Sequence, residues 1–437
     1  MTAGALSRRI SALPEAAPLA FRGRVVEVTG LVVRAAIDGV RVGEAVEIRG
    51  AGAVPLEAEV VGFRGGTASL LPLGDAAGVA LGAEVAARGN PSGVGVGPAL
   101  LGRVLDGLGR PLDGAPLPAG LARWAVDRPP PNPLARPPVR APLETGVRAV
   151  DALLAVGEGQ RVGIFAGSGV GKSTLLGQLA RGAAAEVNVV ALVGERGREV
   201  REFLEESLGA EGLARSVVVV ATSDAPPLVR LRAAHVATAI AEWFADVEGR
   251  RVLLLLDSVT RFARAQREVG LAAGEPPARQ GYPPSVFAAL PRLLERTGPR
   301  PRGVITAFYT VLVAGSDLEE PIADEVRGIL DGHVVLDRRI AERGRFPAID
   351  PLASLSRLMP RVALPTQLEH AARARALLAA HERVRDLVAL GAYVRGGDPE
   401  ADEALARIGA LEALLRQGAE EHAGRDEALA RLAEAVA

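Results

Sequence analysis

The stretch Arg161–Thr174, RVGIFAGSGVGKST, constrains the fold more than any other part of this 437-residue chain. An apolar run of strand length enters a turn holding Gly167, Gly169 and Gly171, and that turn opens directly into the helical pattern STLLGQLARG. A strand that hands over to a helix in this way leaves the first N–H groups of the helix unpaired. The positive end of the helix dipole then faces the carboxyl edge of a sheet. The three glycines let backbone N–H groups close around phosphate oxygens, with Ser168 and Val170 completing the loop. Lys172 would reach the β- and γ-phosphates, and Ser173, followed by Thr174, would hold Mg²⁺ at the start of the helix. Ala166 stands at the first loop position, where glycine is commoner. The same stretch implies an α/β domain with a mostly parallel sheet.

Composition sharpens this reading at one residue. The chain has 51 basic residues, and Lys172 is its single lysine. A lysine placed at random would fall on a chosen position about once in 437 chances. Arginine is larger, planar and forked, so it cannot occupy the slot between the phosphates.

Four further apolar runs read as buried strands: VNVVALVGE, SVVVVATS, RVLLLLD and VITAFYTVL. Between several of them lie helical patterns, among them REVREFLEESL and HVATAIAEWFADV. RVLLLLD ends in Asp257, where a carboxylate would contact the Mg²⁺ shell. VNVVALVG is followed by Glu195, well placed to orient or deprotonate an attacking water. Taken alone, Glu195 reads as a solvated residue at a helix start; beside a phosphate loop, catalysis is favoured.

The remaining organisation follows from composition shifts. From about Arg24 to Ala87, short segments rich in β-branched residues alternate with glycine turns, which predicts a small β-barrel. Before it, Leu6, Ile10 and Leu13 stand at helical spacing, either for a partner or for the barrel itself. Pro129–Pro142 is too proline-dense for a regular element and must be an extended connection. From about Gln367 onward, alanine, leucine, arginine and glutamate dominate, which predicts a helical tail. The expected domains are 1–92, a leading segment and barrel; 93–364, the phosphate-loop domain; and 365–437, a helical domain.

A net charge of −1 argues against a protein that binds nucleic acid through a broad basic face. With no cysteine there can be no disulfide framework and no thiolate metal site. The five histidines, at 235, 333, 370, 381 and 422, lack the close spacing of a metal motif; His333 reads as structural, and Trp243 and Tyr393 as packing residues. No run approaches the roughly 18 apolar residues of a membrane span, and Pro14 and Glu15 interrupt the first apolar stretch, so neither a span nor a secretory signal is expected. The expected compartment is the cytoplasm.

At these residues the chain resembles the phosphate-loop ATPases that include rotary ATP synthase catalytic subunits, and most closely the type III protein-export ATPases of flagella and injectisomes. The resemblance runs from about Leu100 to Pro360 and includes GERGREVREF, DSVTRFARAQREVGLAAGEPP, GYPPSVFAALPRLLERTG, ADEVRGILDGHVVLDR and the signature PAIDPLASLS. It implies that Lys172 and Ser173 bind phosphate and Mg²⁺, that Glu195 positions the water, and that Asp257 serves the metal. Arg196 would contact phosphate or the surroundings of Glu195, and Arg261 matches the family's arginine after the strand-end aspartate. Phe346 falls where the family has an aromatic against the adenine ring, and Arg357 where it has an arginine that reaches the neighbouring subunit's nucleotide.

The resemblance further implies a ring, expected to be a hexamer, that hydrolyses ATP with Mg²⁺ to drive chaperone release, unfolding and export of protein substrates. Its implied partners are regulatory and stalk proteins, chaperone–substrate complexes and a membrane export gate, with the protein peripheral to the inner face of the cell membrane. Three other readings compete. In a rotary synthase subunit, an acidic helix-turn-helix engages the rotor, whereas the corresponding region here reads GAYVRGGDPEAD. An RNA-translocating helicase would want aromatics on its barrel, which has Phe63 but no tyrosine or tryptophan. A scaffold that binds ATP without turnover would not need Glu195 and Arg357.

Overall fold

The computed structural model describes residues 21–50, 54–89, 93–313 and 317–437. The segment carrying Leu6, Ile10 and Leu13 lies outside the described residues. The chain divides into two compact units, one of 1–92 with 268–276 and one of the remainder. In the first, strands β1 (Arg22–Thr29), β2 (Val32–Ala36), β3 (Ala45–Arg49), β4 (Leu56–Arg64), β5 (Thr67–Pro72) and β6 (Glu84–Ala87) close into a barrel in the order β1-β2-β5-β4-β3-β6. Alternation in these short strands turns Val33, Ala35, Val46, Ile48, Val60, Leu70 and Val85 inward, where they form the barrel's own core.

The second unit opens with a two-stranded ribbon of β7 (Gly93–Val96) and β9 (Ala122–Ala125), which pair antiparallel around β8 (Val104–Asp106) in sequence. The main sheet takes β8 together with β10 (Arg161–Ala166), β11 (Val187–Glu195), β12 (Ser216–Thr222), β13 (Arg251–Asp257), β14 (Gly298–Pro299), β15 (Val304–Leu312), β16 (Gly332–Leu336) and β17 (Ile349–Ser356). Its order is β17-β16-β10-β15-β13-β11-β12-β8, with the short β14 beside β15. All neighbours along this path are parallel except β17, which runs antiparallel to β16. Every residue of β11, and all but the first or last residues of β10, β12, β13 and β15, are buried, as strands covered on both faces require.

The helix Lys172–Gly182 drives Leu175, Leu176, Leu179 and Ala180 into the core, each leucine stabilising the fold by roughly 1.5–3 kcal/mol. The long helix Pro227–Asp246 packs against β11, β12 and β13 and is buried over most of its length. The helices Pro365–Ala389, Pro399–Leu415 and Arg425–Val436 form the C-terminal bundle, whose Leu377, Leu411, Leu414 and Leu432 join the core under the short helix Arg148–Leu153. Pro129–Pro142 contains only one short turn, Pro133–Ala135, and is otherwise without helix or strand. Trp243 is buried edge-on against Phe244, Tyr393 donates to the Asp402 carboxylate at 3.0 Å, and His333 meets the edge of Phe165. Among the described residues, no helix is long and apolar enough to cross a membrane.

Candidate active site

Parallel strands deliver their carboxyl ends to one edge of the sheet, and here three of those ends meet. β10 ends in the loop Gly167–Gly171, β13 in Asp257 and β11 in Glu195. The loop closes with Gly171 at φ +90°, a left-handed conformation that glycine adopts at no steric cost, and the helix begins at Lys172. The Lys172 ammonium lies between the two carboxylates, donating to Asp257 Oδ1 and standing 3.3 Å from Glu195 Oε1. β15 separates β10 from β13, and its Thr310 hydroxyl donates to Asp257 Oδ1 at 2.6 Å.

Glu195 is held on its other side by the Arg261 guanidinium, 3.2 Å from Oε2, which also donates to the carbonyl of Gly194. Gly194 has φ +72°, and a side chain there would begin 2.9 Å from Arg261 Cδ, so the close approach depends on glycine. Burial, and then the negative charge of Asp257, push the Glu195 carboxyl up to about 7, against the opposing pull of Lys172 and Arg261. Glu199, in the first turn of the helix Gly197–Glu202, is held below its ordinary range by its hydrogen bond with Glu195.

Of these groups, Lys172, Glu195, Glu199 and Arg261 face a cavity of about 1040 Å³. Gly167, Ser168, Gly169, Val170, Gly171, Lys172, Ser173 and Thr174 form one wall, with Glu195, Arg196 and Arg261 opposite. Arg196 is largely exposed and pairs with Glu199 at 3.3 Å, so it stands at the rim. The Phe346 ring lies 3.6 Å from where a side chain at Gly171 would begin, and the residue is 45% exposed.

Arg357 is not brought to this cavity. In the antiparallel pair, Ile349 opposes Leu336 near the phosphate loop, whereas Ser356 opposes Gly332 at the far end. The four-residue span along β16 carries Arg357 about 13 Å away from its own loop. There its backbone N–H donates to Asp331 and its exposed guanidinium to the carbonyl of Arg327.

Sequence reasoning missed two residues that support the site. Thr310 is one hydroxyl inside an apolar strand, and nothing in VITAFYTVL marks it as the partner of Asp257. Arg338, which donates to the Ser168 carbonyl at 3.2 Å, follows the N-cap Asp337, whose carboxylate accepts from Arg339 N and Ile340 N. The run DRR was the available signal.

The donor set also bears on a metal. Among the described residues, no group of three or more histidine, aspartate or glutamate side chains is assembled as a cage. A serine hydroxyl at a helix start and a single strand-end carboxylate suit Mg²⁺, which keeps waters and takes substrate phosphates as ligands.

Comparison with known proteins adds to this geometry. Residues 146–356 match the nucleotide-binding domain of the ATP synthase alpha/beta family, and residues 363–434 match the C-terminal domain of the type III secretion ATPase EscN. The chain is 53% identical over 412 residues to a flagellum-specific ATP synthase of Bacillus subtilis, covering 94% of each. It is 54% identical over 396 residues to a type 3 secretion system ATPase of Xanthomonas euvesicatoria, covering 90% of this chain and 89% of that one. Among solved structures, the assembled ATPase EscN of enteropathogenic E. coli superposes with a TM-score of 0.90 at 45% identity, covering 95% of this chain and all of the other. The same ATPase in complex with its central stalk EscO gives a TM-score of 0.87 at 45% identity, with the same coverage.

Proposed function

The chain is an ATPase belonging to the family of flagellar-export and type III secretion ATPases, and from that premise we propose that it works as a hexameric ring with nucleotide at the subunit interfaces. One observation carries the reading: Lys172 stands between Glu195 and Asp257 beneath a phosphate loop, while Arg357 stands at the other end of the sheet. The subunit's own arginines at the cavity are already engaged there, Arg261 with Glu195, Arg196 with Glu199 and Arg338 with the Ser168 carbonyl. Arg357 instead is anchored on the carbonyls of Asp331 and Arg327 and exposed, as a group offered to a neighbouring subunit would be.

In this reading the triphosphate draws Lys172 away from the two carboxylates, and the amine neutralises charge on the β- and γ-phosphates. The N–H groups of Gly167–Gly171 and the start of the helix hold the remaining oxygens. Ser173 and Asp257 would hold Mg²⁺, which would supply Lewis-acid stabilisation of the phosphates. Glu195, freed from Lys172 and still held by Arg261, accepts a proton from the water aligned for in-line attack on the γ-phosphate. Arg196 at the rim steadies Glu199 or a phosphate oxygen, Phe346 stacks on the base, and Arg357 of the adjacent subunit stabilises the transferring phosphoryl group.

The work done is chaperone release, unfolding and export of protein substrates, in the cytoplasm beneath a membrane export gate, with a stalk protein in the ring. The solved EscN assembly and its complex with EscO support the ring and the stalk. A rotary synthase subunit is not favoured, because the C-terminal helices match the secretion-ATPase domain. The test is specific ATPase activity against protein concentration, with and without RNA. Activity should rise steeply with concentration and ignore RNA; activity independent of concentration contradicts the shared site, and stimulation by RNA favours a translocase.

A further inference from the structure

The connector between the last two helices, which begins at Arg416, is bonded at several points to the nucleotide-binding domain. From the helix that follows the phosphate loop, Gln178 donates to the Gly418 carbonyl at 2.8 Å and Arg181 to the Ala419 carbonyl at 2.7 Å. The guanidinium of Arg148, a residue 2% exposed, donates to the carbonyls of Leu414 and Arg416 and pairs with Glu421. At the centre is Gln417, itself 3% exposed. Its side-chain Oε1 accepts from Arg148 N at 2.8 Å, and its Nε2 donates to the carbonyls of Gly146 and Glu421, each at 2.8 Å. Its backbone N–H donates to the carbonyl of Phe346 at 2.8 Å.

Phe346 therefore has a backbone pinned from the C-terminal domain and a half-exposed ring lying against Gly171 of the phosphate loop. Its neighbour Arg345 is buried and tied to the same domain, 3.6 Å from Glu412. We propose that Gln417 is a positioning residue for the nucleotide base: by locking the connector onto Gly146 and Arg148, it fixes the Phe346 backbone and thereby the face on which the base stacks. A glutamine is suited to this because one side chain supplies an acceptor for an N–H and donors for two carbonyls. Displacement of the C-terminal helices would then be felt as a change in grip on the base, with the phosphates held as before. The proposal rests on the reading of Phe346 as the base contact.

Two ligands separate the base from the phosphates: ADP, which has both, and pyrophosphate, which has only the second. Gln417→Ala should raise the ADP dissociation constant at least fivefold and leave that of pyrophosphate within twofold. In a Phe346→Ala background, Gln417→Ala should cause no further loss of ADP affinity. Gln417→Met, which keeps the volume and loses the hydrogen bonds, should behave like Gln417→Ala and serves if the alanine variant does not fold. ADP and pyrophosphate weakening together, an unchanged ADP affinity, or an equal loss in the Phe346→Ala background would each overturn the positioning role. Phe346→Ala alone leaving ADP affinity unchanged would remove the base contact itself, and the proposal with it.

Discussion

Replacing Glu195 by glutamine separates the geometry of the site from its charge. The amide keeps the shape of the carboxylate and its contact with Arg261, and loses the ability to take a proton from water. A positioned base contributes about 10²–10⁴-fold, so the variant should be at least ~10²-fold slower, a barrier increase of about 2.7 kcal/mol. The pH dependence makes the prediction specific. The buried carboxyl titrates at about 7, and kcat/KM reports the free enzyme. Wild-type kcat/KM should stand at about a tenth of its plateau one unit below that value and about nine-tenths one unit above it. The residual activity of Glu195→Gln should be flat through this window.

Stability moves the other way. The folded-state pKa is raised, so stability from the neutral carboxyl is present below the unfolded value of about 4.5 and is lost as pH rises to 7. A neutral amide escapes that loss, so the nucleotide-free variant should melt no lower than wild type above neutrality. Phosphate release measured across the range, with a melting curve at each pH, tests both halves. Turnover within tenfold of wild type, or an acid limb that persists in the variant, would refute the assignment of Glu195.

Two further outcomes follow from particular contacts. An arginine supplied in trans can be worth about 10³-fold or more, so Arg357→Ala and Lys172→Ala should each be slow alone, yet regain hydrolysis when mixed into the same rings; verified mixed rings that stay inactive would count against the shared site. Gly177, on the helix after the phosphate loop, packs so closely that an added methyl would begin 2.6 Å from the Ser207 carbonyl oxygen, so Gly177→Ala should lose about 1–3 kcal/mol in denaturant unfolding, and an unchanged midpoint would contradict the packing.

What the sequence made legible was what chemistry forces to be contiguous. The phosphate loop needs glycines, a lysine and a hydroxyl within nine residues, so Ala166–Thr174 announced itself along with the strand before and the helix after. Buried strands with continuous apolar runs were equally visible, and β10, β11, β12, β13 and β15 lie where those runs are. The edge strands β8 and β17 were not, because a three-residue pairing and a mixed pattern such as IDPLASLS carry little periodic signal. Nor could sequence place β15 between β10 and β13, which is why Thr310 went unnoticed beside Asp257. Gln417 is more than 70 residues from Phe346 and more than 260 from Arg148; such contacts appear only once the chain has folded back on itself.

The central claim is that a single amine, the chain's only lysine, works between the phosphates, and acylation followed by intact mass tests it most directly. The reactive amines are Lys172 and the α-amino group, whose pKa of about 8 makes it the easier target. Lys172 is further shielded by its place between Glu195 and Asp257. The first adduct, at the α-amine, should leave ATPase activity nearly unchanged. The second, at Lys172, should abolish it, and a bound Mg²⁺–ATP analogue should block the second adduct while sparing the first. Protein acylated at Lys172 that still hydrolyses ATP would contradict the account.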